Sequence, residues 1–161
     1  MSTRAQLLAE RIEQGCEALA EYAQGLSETQ WHTVVPPDGR KAGVIIHHVA
    51  CVYPIEVHLA KEIAAGKAIE GITWAAVAEM NGKHAQDHAA AGRDETIDLL
   101  RRNGRAAAEA VRSFTEAELD RAAPVSLNAG APLTAQFLIE DHALRHSWHH
   151  LAKIRAVLNG G

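Results

Sequence analysis

Ten histidines stand in this chain, at positions 32, 47, 48, 58, 84, 88, 142, 146, 149 and 150. Imidazole binds first-row transition metals and moves protons near neutral pH. His84 and His88 stand four residues apart, as do His146 and His150 and also His142 and His146. On a helix, residues four apart lie on one side, so two such rings can share one ion.

A helical projection at about 100° per residue asks which histidines face inward. In the segment after residue 40, Val44, Ile45, Cys51, Val52, Ile55 and Leu59 form one apolar arc, and His48 falls in its middle. His47 is rotated away, toward Pro54, His58 and Lys61, at the edge of the helix or exposed. Near the C-terminus, Phe137, Ala143, Leu144, Trp148, Leu151, Ile154 and Leu158 define the inner face. His150 lies inside that arc and His146 at its border, whereas His142 and His149 point away. Buried imidazoles are costly unless their nitrogens find partners, and one metal ion satisfies three of them together. The expected site is therefore His48, His146 and His150. Three protein ligands leave coordination positions open, the pattern of catalytic rather than structural centres. The His84–His88 pair, on a face with Trp74, Val77 and Asn81, stays an alternative metal pair or a neighbour of the site. Ordinary hydrogen-bonded histidines are the competing explanation throughout.

The elements that carry these residues read as helices. Leu7, Leu8, Ile12, Cys16, Leu19 and Tyr22 recur at helical spacing and predict a helix from Thr3 to Gln24, with Gly25 at its end. Ser27 and Gln30 form a capping-box pattern before Trp31. A second long helix is expected from about Arg40 to before Gly66, kinked but not stopped at Pro54. Thr73 caps a helix from Trp74 to about Ala90, ended by Gly92, and Asp94 caps the next, which carries Ile97, Leu99, Leu100, Ala107, Val111 and Phe114. Thr115 to Glu118 reads as a short capped turn. A loop from Pro124 to Pro132 follows, and Thr134 opens a long last helix to about Leu158. No strand-like alternation appears. The expectation is an all-α four-helix bundle with one or two extra short helices, a single domain over residues 1–161.

Composition narrows the function. Apolar residues make up 47% and charged residues 22% of the chain, ordinary for a folded protein, and the alanine-rich, aromatic-poor balance favours helix. With a net charge of −4 and no basic block, nucleic acid is not an expected partner. No run of about 18 apolar residues marks a membrane span, and the first residues lack a signal-peptide core, so a cytoplasmic protein is expected. Cys16 and Cys51 are expected as buried, reduced thiols. E-x-x-H, H-E-x-x-H, G-x-S-x-G, P-loop and C-x-x-C motifs are all missing, which argues against ferritin-like di-iron, zincin, hydrolase-elbow, nucleotide-binding and zinc-finger chemistry.

The segment Asp38–Ala50, ending His47-His48-Val49-Ala50, resembles the second-helix motif of the DinB-like (damage-inducible) superfamily of metal-binding helical bundles. His146-Ser147-Trp148-His149-His150-Leu151-Ala152-Lys153-Ile154-Arg155 is similar to that family's last-helix His-x-x-x-His motif, and Asn81-Gly82-Lys83-His84-Ala85 to a midchain pattern of one branch. The resemblance implies His48, His146 and His150 as ligands of one divalent ion such as zinc, nickel or iron. It also implies a four-helix bundle, often connected up-down-down-up, and a homodimer. Relatives implied by it include thiol-dependent transferases and a mycothiol-dependent isomerase. There the ion is thought to hold a low-molecular-weight thiol as thiolate. Some members carry a carboxylate where this chain has His146. A centre of neutral imidazoles alone leaves the ion's charge uncompensated and more electrophilic.

The leading expectation is thus a metal-dependent enzyme of thiol-transfer type acting on a small molecule. A metal-dependent hydrolase is mechanistically close, and a non-catalytic, metal-binding stress-response dimer is the reading from another class. Asn81 and His84 are expected to orient ligands or touch substrate, or else to pack helices. Glu140 is expected to pair with Arg155 or a neighbouring helix, and Trp31, Trp74 and Trp148 to sit in the core.

Overall fold

In the computed structural model, which describes residues 2–160, Ser2 accepts a hydrogen bond from the Ala5 amide and opens α1, Thr3–Gln24. The short α2, Glu28–Trp31, starts at the expected capping box of Ser27 and Gln30. Helix α3, Ala42–Ala64, runs through Pro54 without stopping. Helix α4, Trp74–Asp87, is capped by Thr73. Helix α5, Arg93–Arg112, takes Gly92 as its N-cap, so Asp94 lies in the first turn and not at the cap. Helix α6, Glu116–Asp120, has the Thr115–Glu118 capping box. The C-terminal segment comprises α7, Ala135–Leu138, a π-helical stretch Ile139–Leu144, and α8, Arg145–Leu158.

The four long elements form the bundle. Helix α1 packs on α5 and α8, and α3 packs on α5 and the α7–α8 segment, which leaves α1 and α3 diagonal to one another. The core includes Leu8, Ile12, Leu19, Ile45, Ile46, Tyr53, Leu100, Leu138 and Leu151, all buried. Two glycines permit close approach. A Cβ at Gly43 would lie 2.2 Å from the Trp31 ring, and one at Gly104 would lie 2.3 Å from Cys16 Sγ.

Further sequence-based expectations change. The Pro124–Pro132 loop contains a hairpin, β1 (Ala122–Val125) antiparallel to β2 (Ala131–Thr134), with Pro124 opposite Pro132. Strands this short show no alternation to read. Phe137 is largely exposed instead of inward, because the π-stretch inserts extra residues per turn and breaks a uniform projection. Trp31 is buried as expected, but Trp74 is 63% exposed and Trp148 42% exposed. Helix α3 is apolar and long enough by composition to cross a membrane, which does not overturn the expectation of no membrane span. It is the bundle's core helix, 72% of that apolar stretch being buried.

Candidate metal centre

Helix α3 presents His47 and His48 on adjacent bearings, α8 presents His146 and His150 one turn apart, and α4 presents His84 and His88. The packing of α3 against α8 brings one donor atom each from His48, His146 and His150 to within 4.8 Å of one another. Their ring centroids lie 4.8 to 5.8 Å apart, with His48 edge-on to both rings of α8. His48 and His150 are buried, while His146 keeps 20% of its side chain exposed. No fourth His, Cys, Asp or Glu joins this group among the described residues.

Burial, with the neighbouring imidazoles and Arg40 adding to it, lowers the pKa of His48 to about 3 and that of His150 to about 2 from the ordinary 6.5. Both rings are therefore neutral at pH 7, and each has a lone pair to offer. His146 Nδ1 lies 2.7 Å from Glu56 Oε1. A carboxylate accepts, so His146 donates from Nδ1 and keeps Nε2 as the lone-pair nitrogen. His150 Nδ1 is buried with no hydrogen-bond partner. Next to Glu56 on α3, Tyr53 reaches across to Ser147 through a buried hydroxyl–hydroxyl hydrogen bond, and so fixes α3 to α8 beside the centre.

These features fit a divalent transition metal. Three neutral imidazoles converge, a carboxylate stands behind one of them, and a buried nitrogen otherwise lacks a partner. Glu56 also amends the expectation of an uncompensated charge, since it places one anion directly behind His146. The sequence reading missed Glu56. The available signal was a lone carboxylate within the apolar run Ile55, Val57 and Leu59, two turns beyond His48.

Arg40 is clamped on Asp38, with Nε and Nη2 donating to the two carboxylate oxygens at 2.6 and 2.7 Å, while its buried Nη1 has no partner. Burial opposes ionisation of Asp38, but its bonded Arg40 guanidinium holds the carboxyl below its ordinary value. Cys16 is buried as expected, and burial raises its thiol to about 11; Cys51, expected buried, is only half-buried beside His47, and desolvation raises its thiol too. Neither cysteine pairs in a disulfide.

Of the other expected residues, His84 sits at the edge of the centre, its ring 5.6 Å from that of His48. Asn81 is half-buried and makes no side-chain hydrogen bond among the described residues, so nothing draws it to the centre. Glu140 turns out to pair with Arg11 at 3.5 Å, and not with Arg155, which lies over the Tyr22 ring.

No curated protein sequence is significantly similar to the chain. Solved structures that share its fold include the following two. YfiT from Bacillus subtilis, described as a probable metal-dependent hydrolase with an unusual four-helix bundle topology, superposes with a TM-score of 0.77 at 16% identity, over 99% of this chain and 89% of its own. A mycothiol-dependent maleylpyruvate isomerase superposes with a TM-score of 0.70 at 13% identity, over 93% of this chain. The chain spans 60% of that isomerase's length. The family model of the DinB superfamily matches residues 11–154, nearly the whole bundle, and the chain belongs to that superfamily.

Proposed function

We propose that the chain is a metal-dependent enzyme in which His48, His146 and His150 hold one divalent ion, and that it transfers a small thiol to an electrophilic small molecule. The observation that carries this reading is the convergence of three imidazole donors within 4.8 Å, with no fourth protein donor among the described residues to close the site. When bound, the ion would acidify a coordinating thiol or water.

The chain's own residues prepare that step. Depressed pKa values keep His48 and His150 unprotonated at neutral pH. Glu56 fixes the tautomer of His146. Arg40 is held in place by Asp38, and its charge is felt at His48, His84 and His150. Its unpartnered Nη1 suits an anionic group on the thiol or the substrate. Because burial raises both cysteine thiols, a thiol nucleophile on this reading is a free small thiol and not one of the chain's own. The reading extends to a cytoplasmic homodimer, supported by the apolar surface that Trp74 and Met80 leave open on α4.

Hydrolysis is the second reading, favoured by the likeness to YfiT across nearly the whole of both chains. The same open position would take water in place of a thiol. The test is elemental mass spectrometry of tag-free wild type and His146→Ala, followed by thiol-transfer and esterase assays on both. Loss of one ion per chain in the variant, together with loss of metal-dependent thiol transfer, supports the proposal. No ion after incubation with zinc and nickel, or a content unchanged by His146→Ala, overturns it. Metal-dependent turnover of esters without thiol transfer moves the assignment to a hydrolase, and bound metal with neither activity moves it to a binding module.

A further inference from the structure

Helix α4 has no fully buried residue, yet it lies against α3. What joins them at its C-terminal half is a second cluster of imidazoles. His47 from α3 and His84 and His88 from α4 bring one donor atom each within 4.8 Å of one another. His47 Nδ1 is 2.9 Å from His84 Nε2, the His47 and His88 rings stack with centroids 4.1 Å apart, and those of His84 and His88 are 4.7 Å apart. None of these residues belongs to the first centre, so the two donor sets share no ligand.

We propose that His47, His84 and His88 form a second binding site for a divalent transition-metal ion, one that fastens α4 to α3. A tetrahedral ion with bonds of about 2.0–2.1 Å needs donor atoms about 3.3 Å apart. The 2.9 Å between His47 and His84 has to open by only a few tenths of an ångström, and the His88 donor already lies within 4.8 Å of both. An ordinary hydrogen bond between His47 and His84 explains less. It joins two of the three rings and gives the stacked His88 ring no hydrogen bond among the described residues, whereas an ion takes one donor from each. The electrostatics favour a cation. His47 and His88 line a cavity of about 590 Å³ whose wall also carries Glu95 and Asp98 against Arg102, and Asp87, which pairs with Lys83 at 2.6 Å. Those carboxylates offset part of the repulsion between two ions whose donor sets meet at His47 and His48 on α3. The site would be open, with three protein ligands and a cavity beside it. It does not require the first centre to be loaded.

The experiment counts zinc ions at equilibrium in a zinc buffer that strips weak surface sites. It compares wild type, His88→Gln and His150→Ala, each checked for helical content by circular dichroism. His88→Gln removes one donor and leaves the His47–His84 contact in place, on a helix with no buried residue to disturb. Two ions in wild type and one in each variant are expected. One ion in wild type that is lost in His88→Gln but kept in His150→Ala also supports this site, and overturns the first centre instead. One ion in wild type and one in His88→Gln overturns the proposal while leaving the first centre standing, and no ion in wild type overturns both. Hydrogen exchange supplies the independent readout. Zinc should slow exchange of the α4 amides at least about tenfold in wild type and in His150→Ala, and not in His88→Gln. Equal slowing in all three, or in none, overturns the role of these residues.

Discussion

Replacing Glu56 separates a residue that tunes a metal ligand from one that merely packs. Glu56 is 7% exposed, accepts from His146 Nδ1 at 2.7 Å, and has a second carboxylate oxygen with no partner. Removing a carboxylate behind a ligating histidine costs about 10–100-fold in metal affinity, or about 1.4–2.7 kcal/mol. Glu56→Gln keeps an acceptor oxygen for the His146 N–H and loses only the charge, so it belongs at the lower end. Glu56→Leu leaves that N–H to solvent and belongs at the upper end. The metal-free fold should respond in the opposite sense. Glu56 holds a carboxylate out of water with one oxygen already unpartnered, so its removal relieves a desolvation cost, while the part-exposed His146 N–H can turn to solvent. The assay is a competition titration of zinc against a chromophoric chelator at neutral pH, with thermal melts of the metal-free proteins alongside. The expected pattern is a ranked loss of affinity, Leu worse than Gln, with no fall in metal-free stability. Affinity within about twofold of wild type in both variants would refute a role for Glu56 in tuning the centre. A parallel collapse of metal-free stability would reassign it to packing.

Stability of the metal-free protein should fall on acidification. His48 and His150 stay unprotonated in the fold down to about pH 3 and about pH 2, while unfolded imidazole takes up protons below its ordinary 6.5. The unfolded state therefore binds more protons over that window, and stability present above pH 6.5 is lost as pH falls through it, by up to about 2 kcal/mol per histidine at pH 5. Urea unfolding at pH 7.5 and pH 5 checks this, and a flat profile would count against both buried rings. Gly43→Ala should destabilise by about 1–3 kcal/mol in urea unfolding, since its Cβ would lie 2.2 Å from the buried Trp31 ring. An unchanged midpoint would mean that Trp31 yields freely. Ser147→Ala strands the buried Tyr53 hydroxyl and should cost about 1–3 kcal/mol, whereas Tyr53→Phe with Ser147→Ala should recover part of that loss. A double variant no better than the single would show that the pair is not what holds α3 to α8.

Much of the frame is written locally. The caps at Ser27 and Thr115, the span Thr3–Gln24 and the helix opened by Thr73 follow from hydrogen-bonding side chains within four residues and from a 3.6-residue apolar period. His48 and His150 were legible for the same reason, being polar residues inside apolar arcs whose bearing depends only on their own helices. Where a residue's place depends on another part of the chain, the local pattern is silent. The hairpin at Ala122–Thr134 exists because its two short strands find each other, and the π-stretch at Ile139–Leu144 changes the bearing of everything before it. Glu56 acquires its meaning from His146, ninety residues later, and Glu140 from Arg11 on another helix. His47 looked peripheral because its own helix turns it away from the core, yet α4 meets it with two more imidazoles. By itself, the sequence determined which helices form and which of their faces are apolar, because those depend on propensity and period. Only the tertiary structure decided which histidines share a donor set, because ligand atoms must meet within a few ångströms and the packing of separate helices alone brings them there.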